Sequence, residues 1–356
     1  MAQRATEDGT ARYSGRLASS FAEDYFRKTT FGPSVSSIGI GTYLGESTDD
    51  DDRAYEAAIC RAVECGINLI DTAINYRSQR SECAIGSALQ RLIADGRTTR
   101  EEVVVCTKGG YIPLDRTPPA TRDGYRAYVK REFFDTQILH PDEVVAGGHS
   151  VAPRFLRYCL AKSRQNLGLR TIDVYYVHNP AQQRSVLEPS EWRRRMTDAF
   201  AMLEESATRG EIGVYGAATW DDLCVPPGDR GHVSLEELVQ IAHGVAGDAH
   251  RFRALQVPIN LAMPGAVRAP VQIVDGKPLT VLQAADALGV TVIGSATLMQ
   301  ARLASGLPET VREVFPGLST DAQRAIAFSR TIDGVTSALV GMKRIEHVDE
   351  NLAAAR

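Results

Sequence analysis

Short apolar runs rich in β-branched residues recur along the whole chain, each bounded by turn residues and each followed by an amphipathic stretch. The runs are 36–41 (SSIGIG), 67–73 (INLIDTA), 102–108 (EVVVCTK), 172–178 (IDVYYVH), 212–218 (IGVYGAA), 252–260 (FRALQVPIN), 290–295 (VTVIGS) and 335–341 (VTSALVG). Such runs fit strands of a parallel sheet buried on both faces. Helical spacing of apolar residues follows at 53–65, 81–94, 152–167, 192–209, 235–245, 280–287, 319–330 and 346–355. In the first of these, Tyr55, Ala58, Ile59 and Ala62 share one face, and the acidic run 49–52 at its start complements the helix dipole. Gly66, Gly96, Gly168, Gly210 and Gly289 stand where helices should stop.

Eight strand–helix pairs predict an α/β fold, a closed (β/α)8 TIM barrel with a long insertion after strand 3. An open doubly wound sheet usually carries a phosphate-binding first turn. The nearest candidate, Gly39-Ile40-Gly41-Thr42-Tyr43-Leu44-Gly45, has its third glycine one position late, and the Asp run beyond it would repel a pyrophosphate. Residues 1–24 precede the pattern and are expected to form a mobile tail, with 25–356 as a single barrel domain. Within it, 109–150 is rich in Pro, Gly, Arg and aromatic residues and leaves the C-terminal end of the third strand. Barrel enzymes build their sites on that face, so 109–150 is expected to be a substrate-side loop, a lid over the mouth. Tyr111, Arg122, His140 and His149 would then cover the substrate. The Pro/Gly segment 221–233 follows the fifth strand on the same face.

Composition narrows the function. Of 356 residues, 44% are hydrophobic and 24% charged, the balance of a folded soluble protein. A net charge of -4 argues against a nucleic-acid binder, which needs a basic surface. No apolar run reaches the ~18 residues of a membrane span. The first twenty residues have no apolar core of a secretory signal, so a cytoplasmic protein is expected. Cys60, Cys65, Cys83, Cys106, Cys159 and Cys224 include no CxxC pair, and the seven histidines include no HExxH. Reduced thiols and no metal are expected.

Three consecutive strands end in ionisable groups: Asp71-Thr72-Ala73-Ile74-Asn75-Tyr76, then Thr107-Lys108-Gly109-Gly110, then Val177-His178-Asn179-Pro180. Alone, His178 reads as a satisfied core histidine, Lys108 as a surface lysine and Asp71 as a helix cap. Together they read otherwise, because a hydrophobic core has no reason to stack Asp, Lys and His at one end. Burying Asp71 and Lys108 is costly unless they pair.

These residues, with Ser81-Glu82, Gly41-Thr42 and the closing Gly341…Glu350-Asn351, resemble the aldo-keto reductases over about 25–351. The resemblance implies a barrel that binds NADPH without a Rossmann motif and moves a hydride between nicotinamide and a carbonyl. It implies Tyr76 as general acid in reduction and base in oxidation, with Lys108 lowering its pKa. Asp71 would hold Lys108, and His178 would donate to the substrate carbonyl. It places Gly41, Thr42 and Tyr43 at the nicotinamide ribose, with Gln256, Asn179 and Thr219 at the carboxamide. Ser295, Ala296 and Leu298 would take the pyrophosphate, and Gly341, Met342, Lys343, Arg344, His347, Glu350 and Asn351 the adenosine end. Lys343 and Arg344 are cations suited to a 2′-phosphate, and basic residues at a helix N-terminus oppose its dipole unless an anion sits there. NADPH is therefore favoured over NADH.

The sequence departs from the family's pattern in two places. Ala218-Thr219 stands where Ser-Asn is frequent, and Gly294 where many members stack an aromatic on the nicotinamide. The expected partner is a small-molecule carbonyl, polar or sugar-like from the loop's Arg, Tyr and His content. Rival readings are a Schiff-base aldolase using Lys108, a redox-neutral epimerase or dehydratase, and a low-turnover cofactor-binding sensor. Asp71 weighs against the aldolase, since it should raise the pKa of Lys108 where that chemistry needs it depressed.

Overall fold

Eight strands buried along nearly their whole length leave no free edge: in the computed structural model, which describes residues 3–356, they close into a parallel barrel. They are β1 (Ile38–Gly41), β2 (Leu69–Asp71), β3 (Val104–Gly109), β4 (Ile172–His178), β5 (Ile212–Ala218), β6 (Phe252–Pro258), β7 (Thr291–Ser295) and β8 (Val335–Gly341). Closure runs through β8 and β1, with Ala338 opposite Ile38 and Gly341 opposite Gly41. The barrel interior is filled by Leu69, Val104, Cys106, Val174, Tyr176, Ala218, Ala254, Ile293 and Leu339, so the barrel is packed through and the site must lie at one end. The register shifts where β5 meets β6, and there a Cβ on Gly216 would fall 1.7 Å from the Ala254 carbonyl oxygen, so only glycine fits.

The outer helices are α1 (Asp49–Glu64), α2 (Arg80–Ala94), α3 (Pro153–Leu167), α4 (Pro189–Thr208), α5 (Leu235–Ala246), α6 (Val281–Ala287), α7 (Asp321–Arg330) and α8 (Ile345–Leu352). Thr48 caps α1, and Asp49 to Asp52 form its first turn. All six cysteines are free. Among the described residues no helix is long and apolar enough to cross a membrane.

Residues 3–24 differ from the expected mobile tail, of which residues 1 and 2 lie outside the described residues. Glu7–Leu17 is a helix capped by the Thr6 side chain. It packs on the 100–102 turn so closely that a Cβ on Gly9 would lie 2.3 Å from the Glu101 carbonyl oxygen. Tyr13 is buried and donates to the Val63 carbonyl, Arg16 pairs with Glu102 at 2.6 Å, and the Ala5 N–H donates to Asp173 at 2.7 Å. Ala5 joins the interior cluster of the barrel, so this segment seals the end away from the strand C-termini. A strand pair, Phe26–Lys28 with Ser34–Ser36, completes the seal.

The 109–150 insertion also departs from expectation. It holds a helix, Arg122–Val129, continued by a wider turn at Lys130–Phe134. Ile112, Val129, Phe133 and Leu139 form a small core of their own with Ile74 and with Phe155 and Cys159 of α3. Gln79 and Arg80 at the head of α2 donate to the carbonyls of Leu114 and Arg116. The segment thus docks on the flank of the barrel, because its aromatics need apolar partners and α3 supplies them. Arg122 and His140 are exposed and stand outside the cavity at the strand C-termini.

Candidate active site

Barrel closure brings the ends of β1, β2 and β4 to β8, with Tyr111 just beyond β3, around one cavity of about 510 Å³ at their C-terminal face. Asp71 ends β2 and Lys108 lies one residue from the end of β3, on adjacent strands. The wholly buried Lys108 ammonium donates to Asp71 Oδ2 at 2.6 Å and to the Thr72 carbonyl at 2.7 Å. Gln256, reaching across from β6, donates to the other Asp71 oxygen at 2.8 Å. Both lone-pair ends of the carboxylate are therefore satisfied, as a buried charge requires. The Lys108 Nζ lies 5.0 Å from the centroid of the Tyr76 ring, and the rings of Tyr76 and His178 meet edge to face at 6.0 Å.

Burial and pairing set the protonation states. Burial opposes the charge of Lys108, but Asp71 and Tyr76 hold its pKa above the ordinary lysine value. Burial pushes the Asp71 carboxyl up, while Lys108 and Gln256 pull the other way. Tyr76 was expected to be lowered by Lys108. Its burial dominates instead and lifts it above the ordinary phenol value, with Lys108 opposing. Burial and the Lys108 charge push His178 well below the usual imidazole range, so it is neutral at pH 7. His178 Nδ1 is buried without a partner, which leaves Nε2 as the nitrogen open to the cavity.

The motif residues around the tetrad are structural. Ser81 donates to the Thr42 carbonyl at 2.8 Å. Glu82 accepts from Thr107 at 2.6 Å and from Asn166 at 2.9 Å. The chain turns at the cavity through left-handed corners built from ordinary residues. Arg77, Ser78 and Gln79 directly after Tyr76 all have positive φ, as do Asn179, Ala296, Met299, Gln300 and Ala301. Such corners cost of order 1–2 kcal/mol each for residues with a Cβ. The Arg77 guanidinium locks the first by pairing with Asp52 and donating to the Glu46 carbonyl.

Of the residues expected at the cofactor, Gly41, Thr42, Tyr43, Asp71, Asn179, Thr219, Gln256, Ser295, Ala296, Leu298, Gly341, His347, Glu350 and Asn351 line the cavity, together with Tyr76 and His178. Three do not. Met342 is buried in the core. Lys343 is drawn to Asp51 on α1, 2.8 Å away. Arg344 is exposed and rests its guanidinium against His347 at 2.6 Å. The sequence reading missed Trp220, Leu44 and the wall from Met299 to Ala301. Trp220 stood two residues beyond a strand end, which was signal enough. Tyr43, Leu44 and Trp220 are 52%, 42% and 46% exposed, an apolar rim at the mouth of a cavity.

A closed barrel with its cavity at the strand C-termini, and Asp, Tyr, Lys and His converging there, is the frame in which the chain's relatives fall. The aldo/keto reductase family model matches residues 37–224, and the chain belongs to that family. It is 30% identical over 192 residues to the NADH-specific methylglyoxal reductase of Escherichia coli, covering 52% of this chain and 49% of that one. It is 28% identical over 166 residues to a D-threo-aldose 1-dehydrogenase from a Pseudomonas species, covering 47% and 44%. The chain thus spans about half the length of these sequence relatives. Among solved structures, it superposes on an aldo/keto reductase from Klebsiella pneumoniae in complex with NADP and acetate. The TM-score is 0.60 at 19% identity, covering 93% of this chain and 89% of that one. A putative aldo-keto reductase from Pseudomonas aeruginosa gives 0.57 at 21% identity, covering 93% and 95%. At such identities these structures speak for the fold.

Proposed function

We propose that the chain is a nicotinamide-dependent carbonyl reductase with Tyr76 as its proton donor. The convergence of Asp71, Tyr76, Lys108 and His178 at one end of one cavity carries this reading. A phenol lifted by burial stays protonated at neutral pH, as a general acid in reduction must. The Lys108 charge beside it lowers the cost of releasing that proton as the substrate oxygen gains charge. Asp71 keeps Lys108 charged and in place. Neutral His178 offers Nε2 to the same oxygen, which orients the carbonyl.

The donor set fits a dinucleotide. Amides and hydroxyls of Asn179, Thr219, Gln256 and Ser295 line the cavity, and no acidic side chain interrupts the wall from Gln256 to His347. A bound nicotinamide supplies the hydride. Gln256 gives one N–H to Asp71, which leaves its second N–H and its carbonyl oxygen for the carboxamide. NADPH is the favoured form, with Arg344 the cation free to meet a 2′-phosphate. NADH stands next, and one relative is named as specific for it.

The substrate is a small carbonyl compound. Of 109–150 only Tyr111 reaches the wall, so support for a sugar-like substrate comes from the relative named as a D-threo-aldose 1-dehydrogenase and not from the loop. The rim of Tyr43, Leu44, Tyr111 and Trp220 instead favours an uncharged body with an apolar or aromatic face. Tyr76→Phe tests the assignment. It should lower kcat at least ~10²-fold by removing the general acid, with cofactor affinity little changed. A Tyr76→Phe protein that consumes NADPH at the wild-type rate across an aldehyde panel would sink the reading.

A further inference from the structure

We propose that the insertion clamps His178, and that His149, at its far root, is the positioning residue that holds the backbone of His178 in register with the cavity. This rests on the reading of His178 as the group that orients the substrate carbonyl.

The two roots of the insertion zip together beside β4. Tyr111 and His149 form an antiparallel bridge, and Ser150 donates to the Gly110 carbonyl at 2.8 Å. His149 is fully buried. Its Nε2 lies 2.7 Å from the carbonyl oxygen of His178, and its Nδ1 lies 3.0 Å from the side-chain nitrogen of Gln183. An amide nitrogen can only donate, so Nδ1 accepts and Nε2 carries the proton given to His178. Gln183 is fixed in turn. Its Oε1 accepts from Arg195 of α4 at 3.1 Å, and Arg195 also donates to the Asp142 carbonyl within the insertion.

The contact is made where the chain is least free to improvise. His178 is the last residue of β4, and Asn179 turns the chain left-handed at φ +47°. The Tyr111 ring meets His178 edge to face at 4.9 Å and His149 at 5.0 Å, while its hydroxyl accepts from Asn179 at 2.8 Å. Gly110 completes the clasp: a Cβ there would lie 2.9 Å from the His178 carbonyl oxygen and 3.0 Å from His149 Nε2. Burial pushes His149 down to about 4, so the imidazole keeps its neutral, one-donor form through the neutral range.

A buried histidine could be mere packing, and two near-isosteric replacements separate the cases. Gln at this position can place an amide N–H where Nε2 stands, whereas Asn reaches only as far as Nδ1. With full-length protein, NADPH and 4-nitrobenzaldehyde, His149→Asn should lose about tenfold in kcat, the scale of one lost buried hydrogen bond, and His149→Gln less than about threefold. NADP⁺ affinity by fluorescence titration should stay within about twofold in both. C4-deuterated NADPH should give a larger isotope effect on kcat in the His149→Asn protein as hydride transfer becomes limiting. In the unliganded wild type, ¹⁵N–¹H NMR should show a slowly exchanging imidazole proton on His149. Gln183→Leu, which leaves His149 intact, should shift kcat in the same direction as His149→Asn. Equal turnover in the two His149 variants, or an unprotected His149 proton, overturns the clamp. Tyr76→Phe in the same assay separates the failures: if it is inactive while both His149 variants match wild type, the clamp alone is wrong. If it is fully active, the reading of the tetrad falls and the clamp with it.

Discussion

Replacing Lys108 by Met keeps an unbranched side chain of similar reach and removes one charge from the centre of the site. The ammonium is wholly buried and makes two hydrogen bonds, to Asp71 and to the Thr72 carbonyl. Its loss leaves the Asp71 carboxylate with the single donor Gln256. Breaking a buried pair from one side costs about 3–5 kcal/mol, less whatever Asp71 recovers by taking up a proton. Burial already pushes that carboxyl up, and Lys108 is the principal force against it. In the variant its folded-state pKa therefore rises further above the unfolded value of about 3.9. Between those two values the folded state holds more protons than the unfolded one, so stability falls as pH rises, by up to about 1.4 kcal/mol per pH unit. Urea unfolding between about pH 5 and 8 should show that slope, steeper than in the wild type. Adding Asp71→Leu should restore most of the loss, because no buried charge is then left unpaired. A Lys108→Met protein as stable as wild type at the upper end of this range, with no added slope, would refute the claim that burial makes the two groups interdependent.

Two further outcomes follow from the adenosine end and from the corner after Tyr76. Arg344→Ala should weaken NADPH by roughly 1.5–3 kcal/mol while NADH is little changed, and Lys343→Ala should do less because Asp51 already holds that ammonium. Equal losses for both cofactors by fluorescence titration would dismiss the 2′-phosphate assignment. Ser78→Gly should stabilise the fold by about 0.5–1 kcal/mol, since the relief of a left-handed Cβ outweighs the extra freedom glycine brings to the unfolded chain. An unchanged or lower urea midpoint would show that the corner carries no strain.

Much of the molecule was legible in the sequence because its strands are buried on both faces and write themselves as apolar runs. The meeting of Asp71, Lys108 and His178 was legible because they fall at or next to strand ends, where charge has no structural excuse, whereas Tyr76, five residues past its strand, was picked out only by the resemblance. The N-terminal helix was hidden although Thr6, Glu7 and Asp8 spell a helix start. Its contact face is Gly9, Thr10 and Tyr13, too small and polar to register as a hydrophobic stripe. The insertion's helix went unread although Tyr125, Tyr128, Val129 and Phe133 fall at i, i+3, i+4 and i+8 on one face, because eight residues containing Gly124 stand out little within a Pro/Gly-rich stretch. Lys343 was misplaced because its partner Asp51 lies 292 positions away, a pairing that only barrel closure creates. His149 acts on a backbone carbonyl, and no residue type advertises such a target.

The distribution of charge along the cavity wall bears on how the two molecules would arrive. Tyr43, Leu44, Tyr111 and Trp220 are themselves uncharged, and Asp71 beneath them is paired with Lys108, while burial and nearby Asp222 raise the pKa of the Tyr111 hydroxyl. Capture of an uncharged carbonyl there depends on contact and shape, and its rate should hardly respond to ionic strength. A dinucleotide carrying phosphates, drawn in past Arg344, should be captured more slowly as salt rises and the Debye length shrinks toward ~8 Å. One continuous cavity would thus behave as two kinetically distinct ports, and added salt would make the cofactor, not the substrate, the scarce partner.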